Sequence, residues 1–113
     1  MERTTSLKKN YEFRRLYYKG KSAAGSRLVL YVLPNRTEAN RLGITVGTKL
    51  GKAVVRNRVR RRIREIYRLS EARLARGRDL VVVARSRSVD AKYRELEEEF
   101  LRLAGKLGLL EET

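Results

Sequence analysis

The chain predicts an α/β (α+β) sandwich, a small mixed sheet with helices packed on it, in the order α-β-β-α-β-α. Three observations carry this prediction. Leu28–Leu33, Leu42–Val46 and Asp79–Ala84 are short apolar runs rich in Val, Leu and Ile, which is strand patterning. Around them, near residues 10–20, 52–75 and 88–107, apolar residues recur at three- and four-residue spacing, which is helix patterning. The chain has 113 residues, 42% of them apolar, which predicts a single domain over 1–113 with one modest core.

Residues 1–9 are polar and basic, and 1–6 are expected to be frayed, as are 108–113 at the other end. Asn10 is placed to cap the first helix, with Glu12 in its first turn and Gly20 as its stop. Phe13, Leu16 and Tyr17 share one face of it, and Leu7, Tyr11 and Tyr18 lie roughly on another. One core contact needs only one of these faces, which leaves the other as a candidate open aromatic surface. Lys19 to Arg27 reads as a Gly/Ser-rich connector. Leu28–Leu33 is apolar at every position, as in a covered strand, and Pro34 ends it. A polar loop follows, read as a hairpin connection. Leu42-Gly43-Ile44-Thr45-Val46-Gly47 alternates large apolar with small residues, a strand with one open or closely approached face.

Thr48 to Lys52 leads into the second helix, with Gly51 as a candidate N-cap. Helix N-terminal amides beside Lys49 and Lys52 suit a phosphate, and a plain loop-to-helix turn suits the same spacing. Arg76-Gly77-Arg78 breaks that helix before Asp79–Ala84, a buried-strand pattern. A long helix separates this strand from Leu42–Val46, so the two are candidates for a parallel pair. Ser88 is placed to cap the last helix, with Asp90 in its first turn. Tyr93, Leu96, Phe100, Leu103 and Leu107 form its core stripe; Glu95, Glu97, Glu98 and Glu99 are assigned to its exposed side, and Gly105 and Gly108 to a loosened end.

The charge is concentrated. The chain carries 28 Lys+Arg against 13 Asp+Glu, a net +15. In the 17 residues from Lys52 to Arg68, eight cations stand against the single acid Glu65. On a helix, Val55, Val59, Ile63 and Ile66 form a narrow apolar stripe. Ala53, Asn57, Arg60, Arg61, Arg64 and Arg68 fall on the opposite face; Arg58 and Arg62 lie on one flank, Arg56 and Tyr67 on the other. Like charges three and four residues apart destabilise a helix. A polyanion would neutralise this one, and the planar fork of Arg suits bidentate phosphate contact. The bland alternative is a solvated basic face, but solvated faces ordinarily mix Lys with Glu. Nucleic acid is the first partner implied and an anionic membrane the second.

Absences sharpen this. With no His and no Cys, thiol chemistry, imidazole acid–base work and the usual zinc sites are excluded. Only Asp79 and Asp90 represent aspartate, and most Glu sit on helix surfaces, so no catalytic residue and no protein-held metal is expected. No apolar run approaches a membrane span, and no secretory leader is visible; a cytoplasmic location without membrane attachment is expected.

The run Leu42-Gly43-Ile44-Thr45-Val46, then Lys49-Leu50-Gly51-Lys52-Ala53-Val54-Val55-Arg56-Asn57-Arg58, then Arg60-Arg61 and Arg64-Glu65 resembles the signature of the bacterial ribonuclease P protein subunit. Leu7-Lys8-Lys9-Asn10 with Phe13, Tyr17 and Gly20 looks like that family's first helix, and Asp79–Arg85 like its last strand. The resemblance spans roughly residues 6 to 104. It implies a left-handed crossover around the basic helix, an exception to the usual hand. It also implies a subunit that contributes no catalytic group. The family's catalytic RNA removes the 5′ leader of precursor tRNA with Mg²⁺, held by RNA and substrate rather than by the protein alone.

Lys52, Ala53, Arg56, Asn57, Arg58, Arg60, Arg61 and Arg64, extended along the same face to Arg68, would contact the ribonuclease P RNA, one protein per RNA. Phe13, Tyr17 and Tyr31 would form a cleft for the single-stranded leader of precursor tRNA, with Lys49 and Arg85 on its rim. Gly47 and Thr48 depart from the more polar or basic pair common in the family, and Tyr17 stands where many members have Phe. The rival readings are a ribosomal-type RNA-binding protein, a helix-in-groove DNA binder and a small self-sufficient nuclease.

Overall fold

The computed structural model describes residues 3–111. Five strands form one sheet: β1 (Thr4–Ser6), β2 (Lys21–Ala24), β3 (Leu28–Pro34), β4 (Asn40–Val46) and β5 (Arg78–Ala84), in the spatial order β1-β4-β5-β3-β2. β1 and β5 both run parallel to β4, while β3 is antiparallel to β5 and to β2. Three helices flank the sheet: α1 (Asn10–Lys19), α2 (Ala53–Ser70) and α3 (Tyr93–Lys106). The sheet is mixed, and α2 joins the parallel neighbours β4 and β5 as the sequence expected.

Alternation along β5 sets the layers, because successive side chains in a strand point to opposite faces. Leu80, Val82 and Ala84 enter the main core with Val59, Ile63 and Ile66 of α2 and Leu96, Phe100 and Leu103 of α3. Val81, between them, points the other way, into a small second core with Leu7 and Leu16. Both faces of the central strands are therefore covered, which is why β3 and β5 are apolar at nearly every position. Among the described residues, no helix is long and apolar enough to cross a membrane.

Several expectations are corrected. Residues 3–6 are not frayed: Thr4–Ser6 pairs with β4, and the Thr4 hydroxyl lies 2.7 Å from that of Tyr67. Tyr67 is buried, so its hydroxyl needs partners, and the polar N-terminal strand supplies one. This also moves Tyr67 from a flank of α2 into the core. Edge pairing uses backbone groups, which apolar patterning does not reveal.

At the other end, residues 108–111 are likewise ordered against the fold. Gly108 turns at φ 69°, the Leu109 N–H donates to Ala104 at 2.9 Å and the Gly108 N–H to Gly105 at 3.2 Å. That is a Schellman turn rather than a loosened end. It buries Leu109 and bridges Leu110 to Leu74. Residues 1, 2, 112 and 113 of the segments expected to fray lie outside the described residues.

Lys21–Ala24, read as connector, is an edge strand. The helix caps also differ. Lys9, Lys52 and Lys92 are the residues preceding α1, α2 and α3, displacing Asn10, Gly51 and Ser88. At α1 and α3 a glutamate three residues on, Glu12 or Glu95, accepts from the cap N–H at 3.1 and 2.8 Å. Glu99 is not on an exposed face. It is buried, and one carboxylate oxygen accepts from the Arg27 and Leu28 N–H groups at 2.8 and 2.7 Å.

Candidate nucleic-acid interface

The small residues of β4 make room for an aromatic ring. A Cβ on Gly43 would lie 2.5 Å from the Phe13 ring, so only glycine lets that ring rest on the sheet. One helical turn on, the Tyr17 hydroxyl is 2.8 Å from the Thr45 hydroxyl, and the Tyr17 ring meets Tyr31 edge-on at 5.0 Å between centroids. The open face predicted for this strand is thus the floor beneath α1. Leu16, fully buried, fixes the helix over β5 and β3.

An ion cluster fixes its tilt. Arg41 donates to both carboxylate oxygens of Asp79, at 2.9 and 2.6 Å, and also pairs with Glu12 on α1. The Lys9 and Lys8 N–H groups, with Arg41, hold the Glu12 carboxyl below the usual glutamate range.

Between α1 and the sheet lies a cleft of about 580 Å³, lined by Asn10, Phe13, Arg14, Tyr17, Ile44, Thr45, Val46 and Arg60. A smaller depression of about 160 Å³, with Phe13 and Arg60 again in its wall, adds Arg64. The aromatic cleft and the basic helix are therefore one continuous surface.

Along α2 the arginines divide by what they touch. Arg58 and Arg62 donate to the Val89 and Ala91 carbonyls at 3.2 and 3.1 Å, bracing the loop before α3. Arg56 donates to the Gly51 carbonyl, Arg60 to the Asn57 side chain and Arg68 to Glu65. Arg61 and Arg64 are exposed, and among the described residues their side chains make neither hydrogen bond nor ion pair.

The matches to known proteins decide what this surface belongs to. The family model described as Ribonuclease P matches residues 1–108. The chain belongs to the ribonuclease P protein family. The Ribonuclease P protein component of Natranaerobius thermophilus is 44% identical over 113 residues, covering all of this chain and 98% of that one. That of Clostridium botulinum strain 657 is 47% identical over 104 residues, covering 91% and 94%. Among solved structures, the Staphylococcus aureus RNase P protein superposes with a TM-score of 0.86 at 32% identity, covering 94% of this chain and 97% of that one. The protein from Thermotoga maritima gives 0.79 at 30%, covering 86% and 92%.

Within this ribonuclease P protein, Phe13 and Tyr17 line the cleft, whereas Tyr31, expected there too, does not line it and meets it only through its edge-on contact with the Tyr17 ring. Lys49 and Arg85 do not line the cleft. Both stand beyond the sheet end where β4 and β5 finish, and the Arg85 guanidinium donates to the Gly25 carbonyl at 2.9 Å. Asn10, Arg14 and Thr45 line the cleft without having been assigned to it. Thr45 had a signal in the small-residue alternation of β4; Arg14 and Asn10 had none, because only the packing of Leu16 fixes which flank of α1 overhangs the sheet. Among the described residues, no three carboxylates gather to hold a cation. Glu12 and Asp79, which do converge, are both neutralised by Arg41.

Proposed function

We propose that this ribonuclease P protein binds the enzyme's catalytic RNA through α2 and holds the single-stranded 5′ leader of precursor tRNA in the cleft under α1. The observation that carries the reading is the shared wall: Arg60 lines the aromatic cleft, and the unpaired cations Arg61 and Arg64 lie on the same helix. Phosphate contacts from Arg61, Arg64 and Lys52 supply affinity that does not depend on base sequence. Phe13 and Tyr17 offer rings to unpaired bases, with Tyr31 supporting the Tyr17 ring, each stack worth about 1–3 kcal/mol and tolerant of sequence. Exposed Ala53 leaves room for a backbone to approach the start of α2.

On this reading the protein performs no bond chemistry. Mg²⁺ is held by RNA and substrate phosphates, and the RNA cuts the leader. The protein screens RNA–RNA repulsion and adds leader affinity, so that precursor outcompetes mature tRNA. One protein acts per RNA, in the bacterial cytoplasm.

The test is Mg²⁺-dependent cleavage of a leader-bearing precursor tRNA at low salt, with this protein, a bacterial ribonuclease P RNA, both, or neither. The expected result is an inert protein and a pair that outperforms the RNA alone. Cleavage by protein alone would overturn the assignment of chemistry to RNA. A pair no better than RNA alone would remove the leader role and favour a ribosomal-type binder.

A further inference from the structure

The outer face of α1 repeats the chemistry of the cleft on a surface that the leader reading does not use. Tyr18 is 89% exposed and Tyr11 59%, the two most exposed aromatic side chains among the described residues. They are seven positions apart and so stand on one side of the helix, two turns from each other. Arg14, Arg15 and Lys19 are interleaved with them, and the Lys9 ammonium sits 5.8 Å from the centre of the Tyr11 ring. Tyr11, Arg14, Arg15, Tyr17, Tyr18 and Lys19 line an open groove of about 510 Å³. The only acid in α1, Glu12, is turned away to Arg41.

Three features identify the occupant. Aromatic rings alternating with cations and lacking an acid match an unpaired polyanion with stackable bases. The groove is continuous with the cleft, because Arg14 and Tyr17 line both. A strand leaving the cleft past Tyr17 therefore meets the groove without crossing uncharged surface. Neither Tyr11 nor Tyr18 is in or packed against either core.

We propose that this groove is a second single-stranded RNA track, in which Tyr11 and Tyr18 stack bases of a 5′ leader that extend beyond the cleft, with Arg14, Arg15 and Lys19 on their phosphates. This rests on the leader reading of the cleft. The groove makes affinity depend on leader length as well as leader presence.

The experiment compares the complete protein–RNA complex on precursor tRNAs with leaders of about four and about twelve unpaired nucleotides, using the wild type, Tyr11→Ala with Tyr18→Ala, and Tyr11→Phe with Tyr18→Phe. The expected result is tighter binding of the long leader by wild type, and loss of that advantage, about fivefold or more per ring, in the alanine variant only. The phenylalanine variant keeps it, because stacking needs the ring and not the hydroxyl. Both tyrosines are exposed, so a change in circular dichroism is not expected.

Equal affinity for the two leaders in wild type, or equal losses on both in the alanine variant, overturns the track. So does self-association of the free protein that the alanine variant abolishes, since a second copy would then be the occupant. A short leader that gains nothing over mature tRNA is a failure of the cleft reading itself and is seen separately, in the wild-type comparison with leaderless tRNA.

Discussion

Single side chains in this protein do two separable jobs, and truncating them separates the two. Phe13 rests on Gly43 at the cleft floor and is only half-buried. Phe13→Ala should weaken binding of leader-bearing tRNA by about 1–3 kcal/mol while sparing mature tRNA; paired titrations check this, and equal losses on both would remove the ring from the leader site. Glu99 does structural work only. Its carboxylate accepts from two backbone N–H groups, from Ser26 and from the Arg27 guanidinium, where β3 begins. Glu99→Ala leaves the buried Leu28 N–H and the part-buried Arg27 N–H without their acceptor. It should cost about 2–3 kcal/mol in urea unfolding, with RNA affinity unchanged for the folded fraction. Glu99 also shows why a heptad-like reading of α3 fails locally: a carboxylate one position from the core stripe is drawn inward when backbone donors of a neighbouring strand face it.

At the scale of elements, α1 is held by a carboxylate and α2 is made to be neutralised. Glu12 titrates below its ordinary 4.5 because the Lys9 N–H, and then the Lys8 N–H and Arg41, favour its charged form. A carboxyl depressed by folding contributes stability that is complete above the unfolded value and is lost as pH falls through the folded one. The stability difference between wild type and Glu12→Gln should therefore be largest above pH 4.5 and shrink as pH falls below it. Urea midpoints at several pH values check this, and a pH-independent difference would mean that the ion cluster does not set the anchoring of α1.

In α2, Arg61 and Arg64 are the cations whose side chains find no partner among the described residues. Arg61→Ala with Arg64→Ala should flatten the slope of log K against log salt for the RNA by about 1.4–1.8, at roughly 0.7–0.9 per phosphate contact. The same double change at Arg58 and Arg62, which brace carbonyls before α3, should lower thermal stability more than it alters that slope.

For the whole molecule, the net charge of +15 and the continuity of cleft, depression and basic helix make salt the governing variable. If about six to ten phosphates are neutralised, affinity for the RNA should fall about 10³–10⁵-fold between 50 and 200 mM salt. Binding that is flat across that range would mean that the basic surface is not the interface. Two of the acids are paired away from this surface. Glu95 and Glu99 pair with Arg27 at the β3 and α3 side of the sheet. Cations are concentrated on α1 and α2.

The sequence by itself determined the three helices, the three long strands, the absence of thiol and imidazole chemistry, and a basic helix whose charge calls for a polyanion. These properties are written in periodicity and composition, which are local. The first helix's aromatic pair could also be seen, but not which of its faces would be open. The tertiary structure alone decided that β1 and β2 complete the sheet, because edge pairing is made by backbone groups that any residue carries. It decided that Tyr67, Asp79 and Glu99 are buried, because each is satisfied by partners distant in sequence: Thr4 and Asn40, Arg41, and residues 26–28. It decided, finally, that the arginines of α2 are not equivalent. A helical wheel gives them one face or flank. Only the packed fold shows which reach carbonyls of the same chain and which are left exposed.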